Sequence, residues 1–394
     1  MSLSVSSRMA RVKPSPTSAT LALAAELRAE GRDIISLGAG EPDFDTPQHI
    51  KDAANQAIAN GQTKYTPIDG TATLKAAIQR KFVRDNGLDY ELSQIIVTSG
   101  AKQALFNLCL GLLGPRDEVV IPAPYWVSYP DMVLLAEAEP VVVETGIEQD
   151  FKMTASQFEQ ALNDKTRLVI LNSPSNPTGA SYTRAELQAL GAVLAAYPDV
   201  VVVADDIYEH IHWADEPFVS FATACPELFD RIVTTNGVSK AYAMTGWRIG
   251  FAAGPGELIT AMKTVQSQST SNPCSVSQAA AQAALDGDQG PVAEMCAAYK
   301  TRHDFVVAAL NALPGFECRA GEGTFYAFPH VTDALRAHGL QSDAELTELL
   351  INEADVACVP GTAFGAPGYM RISFASSMEM LEEALNRIKR VLSA

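Results

Sequence analysis

The most informative residues of the chain are a lysine and an arginine eight positions apart. Lys240 and Arg248 follow the β-branched run 231–235 in the string Ser239-Lys240-Ala-Tyr-Ala-Met-Thr-Gly-Trp-Arg248. A lysine amine forms a Schiff base with an aldehyde when burial and neighbouring charges lower its pKa. A guanidinium is a natural bidentate partner for a phosphate dianion, and Ser239 can add a hydroxyl donor. A lysine after a strand is by itself most often a surface residue, so this interpretation depends on the longer string.

Other candidate binding residues follow apolar runs, at positions where the carboxyl ends of strands would lie. They are Gly100, Ala101 and Lys102 after run 94–98, Trp126 after 118–121, Asn176 after 168–171, Asp205, Asp206 and Tyr208 after 200–204, and Arg371 in Arg371-Ile-Ser-Phe-Ala. A helix that opens at a small residue presents backbone N–H groups to an anion. Each pattern also has an ordinary explanation: a turn for Asn-Pro-Thr-Gly, a core position for the aromatic residue, a surface position for the arginine. Their combination, in this order, indicates a functional site.

Together these strings resemble the class I and II aminotransferases of fold type I, which bind pyridoxal 5'-phosphate (PLP). The resemblance extends from about residue 12 to residue 392, and it is closest to the bacterial aspartate aminotransferase subgroup Iβ. The strings that resemble this subgroup are Lys13-Pro-Ser, Lys102-Gln-Ala-Leu-Phe, Tyr125-Trp-Val-Ser-Tyr-Pro and Ala243-Met-Thr-Gly-Trp.

The resemblance implies how the cofactor would be held. Lys240 would carry PLP as a Schiff base, with Asp205 and Tyr208 as the other catalytic residues. PLP withdraws electrons only while its pyridine nitrogen is protonated, which requires an adjacent carboxylate. The family pattern assigns this carboxylate to Asp205 rather than Asp206. The other implied contacts are Ser239, Arg248, Gly100, Ala101 and Lys102 at the phosphate, Trp126 on the ring face, and Asn176 and Tyr208 at the phenolic oxygen.

The resemblance also implies the substrate contacts and a homodimer. Arg371 would clamp the substrate α-carboxylate as a planar fork, together with Asn176 and Trp126, and the Gly40 backbone would approach the substrate. A dicarboxylic substrate needs a second cation, for which Lys13 is our hypothesis; the alternative is a solvated tail lysine. Tyr65 matches the tyrosine that reaches the phosphate of the neighbouring subunit, which implies a homodimer with shared active sites.

The elements that must position these residues alternate along the chain. Short β-branched runs are predicted as strands at 94–98, 118–121, 140–143, 168–172, 200–204, 232–235 and 249–253. Several are apolar at every residue, which is typical of strands covered on both faces, and helical stretches such as 183–197 separate them. The pattern predicts an α/β protein with a large PLP-binding domain, in which a mostly parallel seven-stranded sheet lies between helices.

A smaller α/β domain is predicted from both chain ends. Residues 1–47 are assigned to this small domain, residues 48–290 to the large PLP-binding domain and residues 291–394 to the small domain again. The supporting patterns are a helical stretch at 302–313, a strand-like region at 325–328 and an amphipathic helix at 378–392.

Composition excludes several other classes of protein. The chain has 394 residues and a formal net charge of −17, which argues against nucleic acid or an anionic membrane as the main partner. Its six cysteines are scattered without metal-ligand spacing, as expected of reduced thiols, and we expect no metal. A secretory signal near residues 19–25 is the alternative to an amphipathic helix of the mature protein. The helix is favoured, which predicts a cytoplasmic protein without a membrane span.

The predicted activity is ping-pong transamination, by a Schiff-base mechanism, between an L-amino acid and 2-oxoglutarate. Aspartate is the expected amino donor, and small amino acids and 2-oxo acids are the expected partners. The alternatives within PLP chemistry are an aromatic, prephenate, alanine or kynurenine aminotransferase, or a PLP β-lyase of the same fold. A non-catalytic PLP-binding regulatory module is disfavoured because Lys240 and Arg371 are both present and no basic DNA-binding segment is recognisable.

Overall fold

A computed structural model describes residues 4–393 of the chain as alternating strands and helices. The strands are β1 (Ile35–Ser36), β2 (Ile95–Thr98), β3 (Glu118–Ala123), β4 (Glu139–Glu144), β5 (Thr166–Asn172), β6 (Val201–Asp205), β7 (Ile232–Gly237), β8 (Gly250–Ala253), β9 (Tyr326–Ala327), β10 (Val356–Ala357), β11 (Val359–Pro360) and β12 (Met370–Ser373). The α-helices are α1 (Pro16–Ala29), α2 (Gln48–Ala59), α3 (Ala72–Lys81), α4 (Ala101–Leu112), α5 (Ser128–Leu135), α6 (Ala155–Ala161), α7 (Arg184–Leu194), α8 (Phe221–Ala224), α9 (Gly256–Ser267), α10 (Ser275–Asp286), α11 (Gly290–Asn311), α12 (Thr332–Ala337), α13 (Asp343–Glu353) and α14 (Met378–Leu392).

Seven of these strands form the main sheet, in the order β2-β8-β7-β6-β5-β3-β4. The pairs β7–β6, β6–β5, β5–β3 and β3–β4 are parallel. Strand β8 is antiparallel to both of its neighbours, β7 and β2. Strands β2, β6, β7 and β8 are buried at every residue, which explains their apolar runs. The structure therefore confirms the expected α/β architecture with a seven-stranded, mostly parallel sheet.

Helices cover both faces of the main sheet, and their local sequences explain their bounds. Helix α7 begins after Thr183, whose hydroxyl accepts the backbone N–H of Glu186 while the Glu186 side chain bonds back to Thr183. This reciprocal capping box is the one expected from a Thr-x-x-Glu pattern. Helix α4 begins after Gly100, which has a φ of 84°, so the turn between β2 and α4 favours glycine.

A second core combines segments from both parts of the chain. Strand β1 pairs in parallel with β10, and Ile35 aligns with Val356. Strands β12 and β9 of the antiparallel sheet β11-β12-β9 and helix α14 pack in the same cluster of buried side chains. Helix α11 connects the two cores, because its Val292 packs with the main sheet and its Tyr299 with the second core. The domain boundaries at 47/48 and 290/291 remain a prediction.

Within residues 4–393, no helix has both the length and the apolar character that a membrane crossing requires.

Candidate active site

A cavity of about 500 Å³ opens where β5, β6 and β7 end, the position at which parallel α/β sheets bind ligands. It collects residues that are distant in sequence but were singled out from it. These are Gly40, Ala101, Lys102, Trp126, Asn176, Asp205, Tyr208, Ser239, Lys240, Arg248 and Arg371.

Lys240 projects into this cavity from the loop after β7. Its Nζ donates a hydrogen bond of 2.6 Å to the carbonyl oxygen of Gly40. Burial lowers the pKa of Lys240 to about 8, and the positive charges of Arg371 and Arg248 act in the same direction. A lysine in this state is a much better nucleophile near neutral pH than an ordinary surface lysine.

Asp205 occupies the floor of the cavity at the end of β6. Its Oδ2 accepts a hydrogen bond of 2.6 Å from the hydroxyl of Tyr129. Burial raises the pKa of Asp205 to about 6, although the hydrogen bond from Tyr129 opposes this shift. Asp206 is also buried but does not line the cavity, since successive residues after a strand point in different directions. The geometry therefore favours Asp205 over Asp206.

Arg371, on β12, is 2% exposed and directs its guanidinium toward the cavity. Its Nη1 donates to Asn176 Oδ1 over 2.9 Å, and its Nη2 donates to the carbonyl oxygen of Gly38 over 2.8 Å. Within residues 4–393, Arg371 Nε is buried without a hydrogen-bond partner. A buried guanidinium with spare donor capacity is suited to bind a carboxylate.

Tyr208 packs in the second core and lies beside Lys240. Its hydroxyl is 3.1 Å from the hydroxyl of Tyr326, and its ring lies 5.9 Å from Lys240 Nζ. Burial, together with the neighbouring Tyr326, raises the pKa of Tyr208 well above its usual value. Tyr208 therefore stays protonated and can donate a hydrogen bond into the cavity.

Arg248 and the start of α4 form a cationic corner of the site. The Nη1 of Arg248 donates to the carbonyl oxygen of Thr245 over 2.8 Å. A Cβ at Gly100 would collide with the Arg248 guanidinium, so the absence of a side chain at Gly100 allows this approach. Lys102 Nζ lies 4.9 Å from the ring centroid of Trp126, at the edge of the same corner.

Besides Asp206, three of the residues singled out from the sequence do not line the cavity. Gly100 borders it through its contact with Arg248. Lys13 is exposed and lines a neighbouring cavity of about 490 Å³, which it shares with Lys102 and Arg248. The side chain of Tyr65 is 91% exposed.

Sequence reasoning missed three residues that support the site. Tyr129 holds Asp205, and Tyr326 holds Tyr208. Asn172 donates to the carbonyl oxygen of Asp205 over 2.7 Å and accepts the backbone N–H of Asn176 over 2.8 Å. Of these three, only Tyr129 could have been found from the sequence, because it lies three residues after Trp126 in the string that resembles the subgroup.

These residues fit PLP. Arg248 and the N–H groups at the start of α4 are suited to a phosphate, and the buried Asp205 is suited to a protonated ring nitrogen. Lys240, with its lowered pKa, is suited to bond an aldehyde.

A second group of ionisable residues lies behind the Asp205–Tyr208 turn. Asp85, Glu209 and His210 are close enough together to hold a metal ion. However, the Lys81 ammonium forms a buried ion pair with Glu209 and lies 3.8 Å from Asp85. Asn86 and Asn236 each donate a hydrogen bond of 2.8 Å to Glu209. Lysine therefore already supplies a cation to this group.

Comparison with known proteins agrees with this geometry. The family model for aminotransferase class I and II matches residues 32–388. The aspartate/prephenate aminotransferase of Nitrosomonas europaea is 54% identical, over 99% of this chain and 100% of that protein. The crystal structure of the aspartate aminotransferase from Rhizobium meliloti has a TM-score of 0.96 and 47% identity, over 100% of this chain and 99% of that chain. The aspartate aminotransferase from Thermus thermophilus with maleate has a TM-score of 0.93 and 41% identity, over 99% of this chain and 100% of that chain.

The fold and the comparisons together define the class: the chain belongs to the aminotransferase class I and II family. It is an aminotransferase that uses PLP and acts on amino acids and 2-oxo acids.

Proposed function

We propose that the enzyme transfers the amino group of L-aspartate to 2-oxoglutarate. The observation that carries this proposal is the convergence of Lys240, Asp205, Arg248 and Arg371 on one cavity. The names of the relatives from Nitrosomonas europaea and Rhizobium meliloti support aspartate as the donor.

In this proposal each residue has one task. When bound, PLP supplies an aldehyde that bonds amines and a ring that delocalises carbanion charge. Arg371 and Asn176 bind and orient the substrate α-carboxylate, while Asp205 Oδ2, held by Tyr129, keeps a negative charge on the cavity floor. Lys240 Nζ takes the proton from the Cα of the amino donor and, in the second half-reaction, delivers a proton to the Cα of the amino acid that forms, since its pKa of about 8 is near neutrality. Trp126 covers the ring face, and Tyr208 donates a hydrogen bond.

The phosphate contacts of the proposal are Gly100, Ala101, Ser239 and Arg248. Lys102 lies at the junction of the two cavities, so it can reach either the phosphate or a distal carboxylate. Gly40 contributes its backbone to the substrate side, where it already bonds Lys240.

Two experiments test the proposal, one on a variant and one on the wild type. Lys240→Ala should abolish both transamination and the visible absorbance of the PLP-bound lysine, and substantial residual turnover would refute the assignment. The colour of the wild-type preparation should change on adding aspartate and revert with 2-oxoglutarate. A spectrum that responds to alanine or kynurenine but not to aspartate would favour those alternatives.

Lys13 is proposed to bind the distal carboxylate of a dicarboxylic substrate. The exposed Lys13 lines the cavity adjoining the active site rather than the active-site cavity itself, so it must move inward to make this contact. Lys13→Ala should lower kcat/KM for aspartate more than for alanine. An unchanged kcat/KM for aspartate would remove this residue from the proposal.

A second candidate amino acceptor is prephenate. The relative from Nitrosomonas europaea is named for aspartate and prephenate, and it matches the chain over 99% of its length. Transamination of prephenate with aspartate as donor, followed by amino acid analysis, tests this candidate directly.

We further propose a cytoplasmic homodimer with shared active sites. Tyr65 is 91% exposed, which leaves its side chain accessible to a second copy of the chain. The six cysteines are free, which is consistent with a reducing compartment. Sedimentation of the wild type and of Tyr65→Ala, with their PLP affinities, tests the dimer; cell fractionation tests the location.

A further inference from the structure

The segment of residues 38–46 crosses the mouth of the active site and contacts both of its substrate-side cations. The carbonyl oxygen of Gly38 accepts a hydrogen bond from Arg371, and that of Gly40 accepts one from Lys240 over 2.6 Å. The next side chain, Glu41, lines the cavity, and its carboxylate accepts a hydrogen bond from the hydroxyl of Thr245. None of the roles assigned above uses this carboxylate.

The charges that line the cavity make Glu41 distinctive. Among the described residues, the cationic lining side chains are Lys102, Lys240, Arg248 and Arg371, and the acidic ones are Asp205 and Glu41. Asp205 is buried on the floor, where Tyr129 occupies one of its oxygens. Glu41 is exposed at the mouth, so its negative charge faces ligands as they enter.

The position of the substrate nitrogen places a positive charge near Glu41. An amino acid must bond the same carbon of the cofactor that Lys240 bonds, so its nitrogen enters the space around Lys240 Nζ. That atom contacts the carbonyl of Gly40, the residue immediately before Glu41. The negative charge of Glu41 also raises the pKa of Lys240, against the larger effects of burial and Arg371.

We propose that Glu41 is a specificity-determining residue that favours ligands bearing an α-ammonium group over the same carboxylates without one. Amino acids and 2-oxo acids share their carboxylates, and Arg371 attracts both. Glu41 attracts only the former and repels the latter. This inference rests on the aminotransferase activity and does not require aspartate to be the preferred donor.

Equilibrium binding to the PLP holoenzyme tests the proposal without turnover. α-Methylaspartate has no Cα hydrogen and is not consumed, and it brings one more positive charge into the cavity than succinate, which has the same carboxylates. The ratio of their dissociation constants, measured by spectral titration at low salt, reports the discrimination. In Glu41→Gln, α-methylaspartate should bind more weakly and succinate more tightly, so that the discrimination falls about 3- to 5-fold, as expected for an exposed charge. The change should shrink at about 1 M salt.

Two matched variants separate charge from structure. The amide oxygen introduced by Glu41→Gln can still accept the Thr245 hydrogen bond, so a purely structural role predicts an unchanged ratio in this variant. Glu41→Asp keeps the charge and should retain most of the discrimination. Thr245→Val removes the hydrogen bond but not the charge, so any loss of affinity should be similar for both ligands.

A second pair of ligands separates this inference from the choice of substrate. If aspartate is not the donor, both four-carbon ligands will bind poorly, but 2-aminoisobutyrate and isobutyrate still differ by one ammonium group. An unchanged ratio for both pairs in Glu41→Gln, or equal effects on the members with and without an ammonium group, overturns the role of Glu41. If Glu41→Gln does not bind PLP, the wild-type enzyme still provides a test, because its discrimination between the two ligands of each pair should fall as the salt concentration rises. A discrimination that does not depend on salt overturns the role of Glu41 equally.

Discussion

The lowered pKa of Lys240 has a consequence that can be measured before any substrate is added. With a pKa of about 8, about one in ten Lys240 side chains is neutral at pH 7. An unperturbed lysine with a pKa of 10.5 is neutral in about one case in 3,000. Covalent capture of PLP by the apo-protein at pH 7 should therefore gain about 300-fold from the neutral fraction alone.

The assay is stopped-flow absorbance after mixing apo-protein with PLP between pH 6 and 10.5. Division by the rate for Nα-acetyllysine, measured under the same conditions, cancels the titration of PLP itself. The folded pKa lies below the unperturbed value, so this ratio should be constant below pH 8. It should then fall about 150-fold by pH 10.5, where half of the reference amine is neutral. The Lys240→Ala variant provides the blank.

Variants identify the cause of the shift. After burial, the largest influence on Lys240 is the positive charge of Arg371. Arg371→Met should therefore move the fall in the ratio to higher pH, whereas Arg336→Met, at a side chain 75% exposed and far from the site, should not. A wild-type ratio that stays constant up to pH 10 would show that Lys240 titrates as an ordinary lysine and would refute the reasoning.

Three further changes test the supports of the site. Lys81→Met removes the ammonium that pairs with the buried Glu209 carboxylate, so it should destabilise the holoprotein by about 3–5 kcal/mol in thermal unfolding. Adding Glu209→Gln should recover most of the lost stability. A double variant as unstable as Lys81→Met alone would show that the charge of Glu209 is not the cause. Asp205→Asn should lower kcat by at least about 100-fold with little change in Tm, because an amide cannot balance a ring cation; near-normal kcat would exclude Asp205 as the partner of the ring. Gly250→Ala should weaken PLP binding at least about 10-fold in titrations of the apo-protein, since its Cβ would collide with backbone atoms of Gly100 and Ala101. Unchanged PLP affinity would show that the phosphate corner tolerates displacement.

The main sheet was predictable because its strands are buried on both faces. All seven predicted runs are strands, and the bounds of helix α14 match the predicted 378–392. The reversal of β8 was not predictable, because the residues of a buried strand look the same in either direction. Helix α11 begins at Gly290, well before the predicted 302, since its alanine-rich first half carries little amphipathic signal.

The sequence predicted those site residues whose type is required by the chemistry. It could not predict residues that reach the site through contacts with distant parts of the chain. Lys240, Asp205 and Arg371 meet as expected, although their roles await the experiments above. The contact of Tyr326 with Tyr208 joins residues that are 118 positions apart, and no local sequence pattern predicts it. The position of Lys13 depends on how the N-terminal segment packs, which its short polar sequence does not determine.

The pairing of β1 with β10 constrains the order in which the protein can fold during its synthesis. Ile35 leaves the ribosome roughly 320 residues before its partner Val356, a delay of between about 16 and 64 s at about 5–20 residues per second. All strands of the main sheet are translated within that interval. Lys240 and every strand of the main sheet are therefore synthesised before Arg371, so we expect the sheet that carries Lys240 to fold before Arg371 joins the cavity.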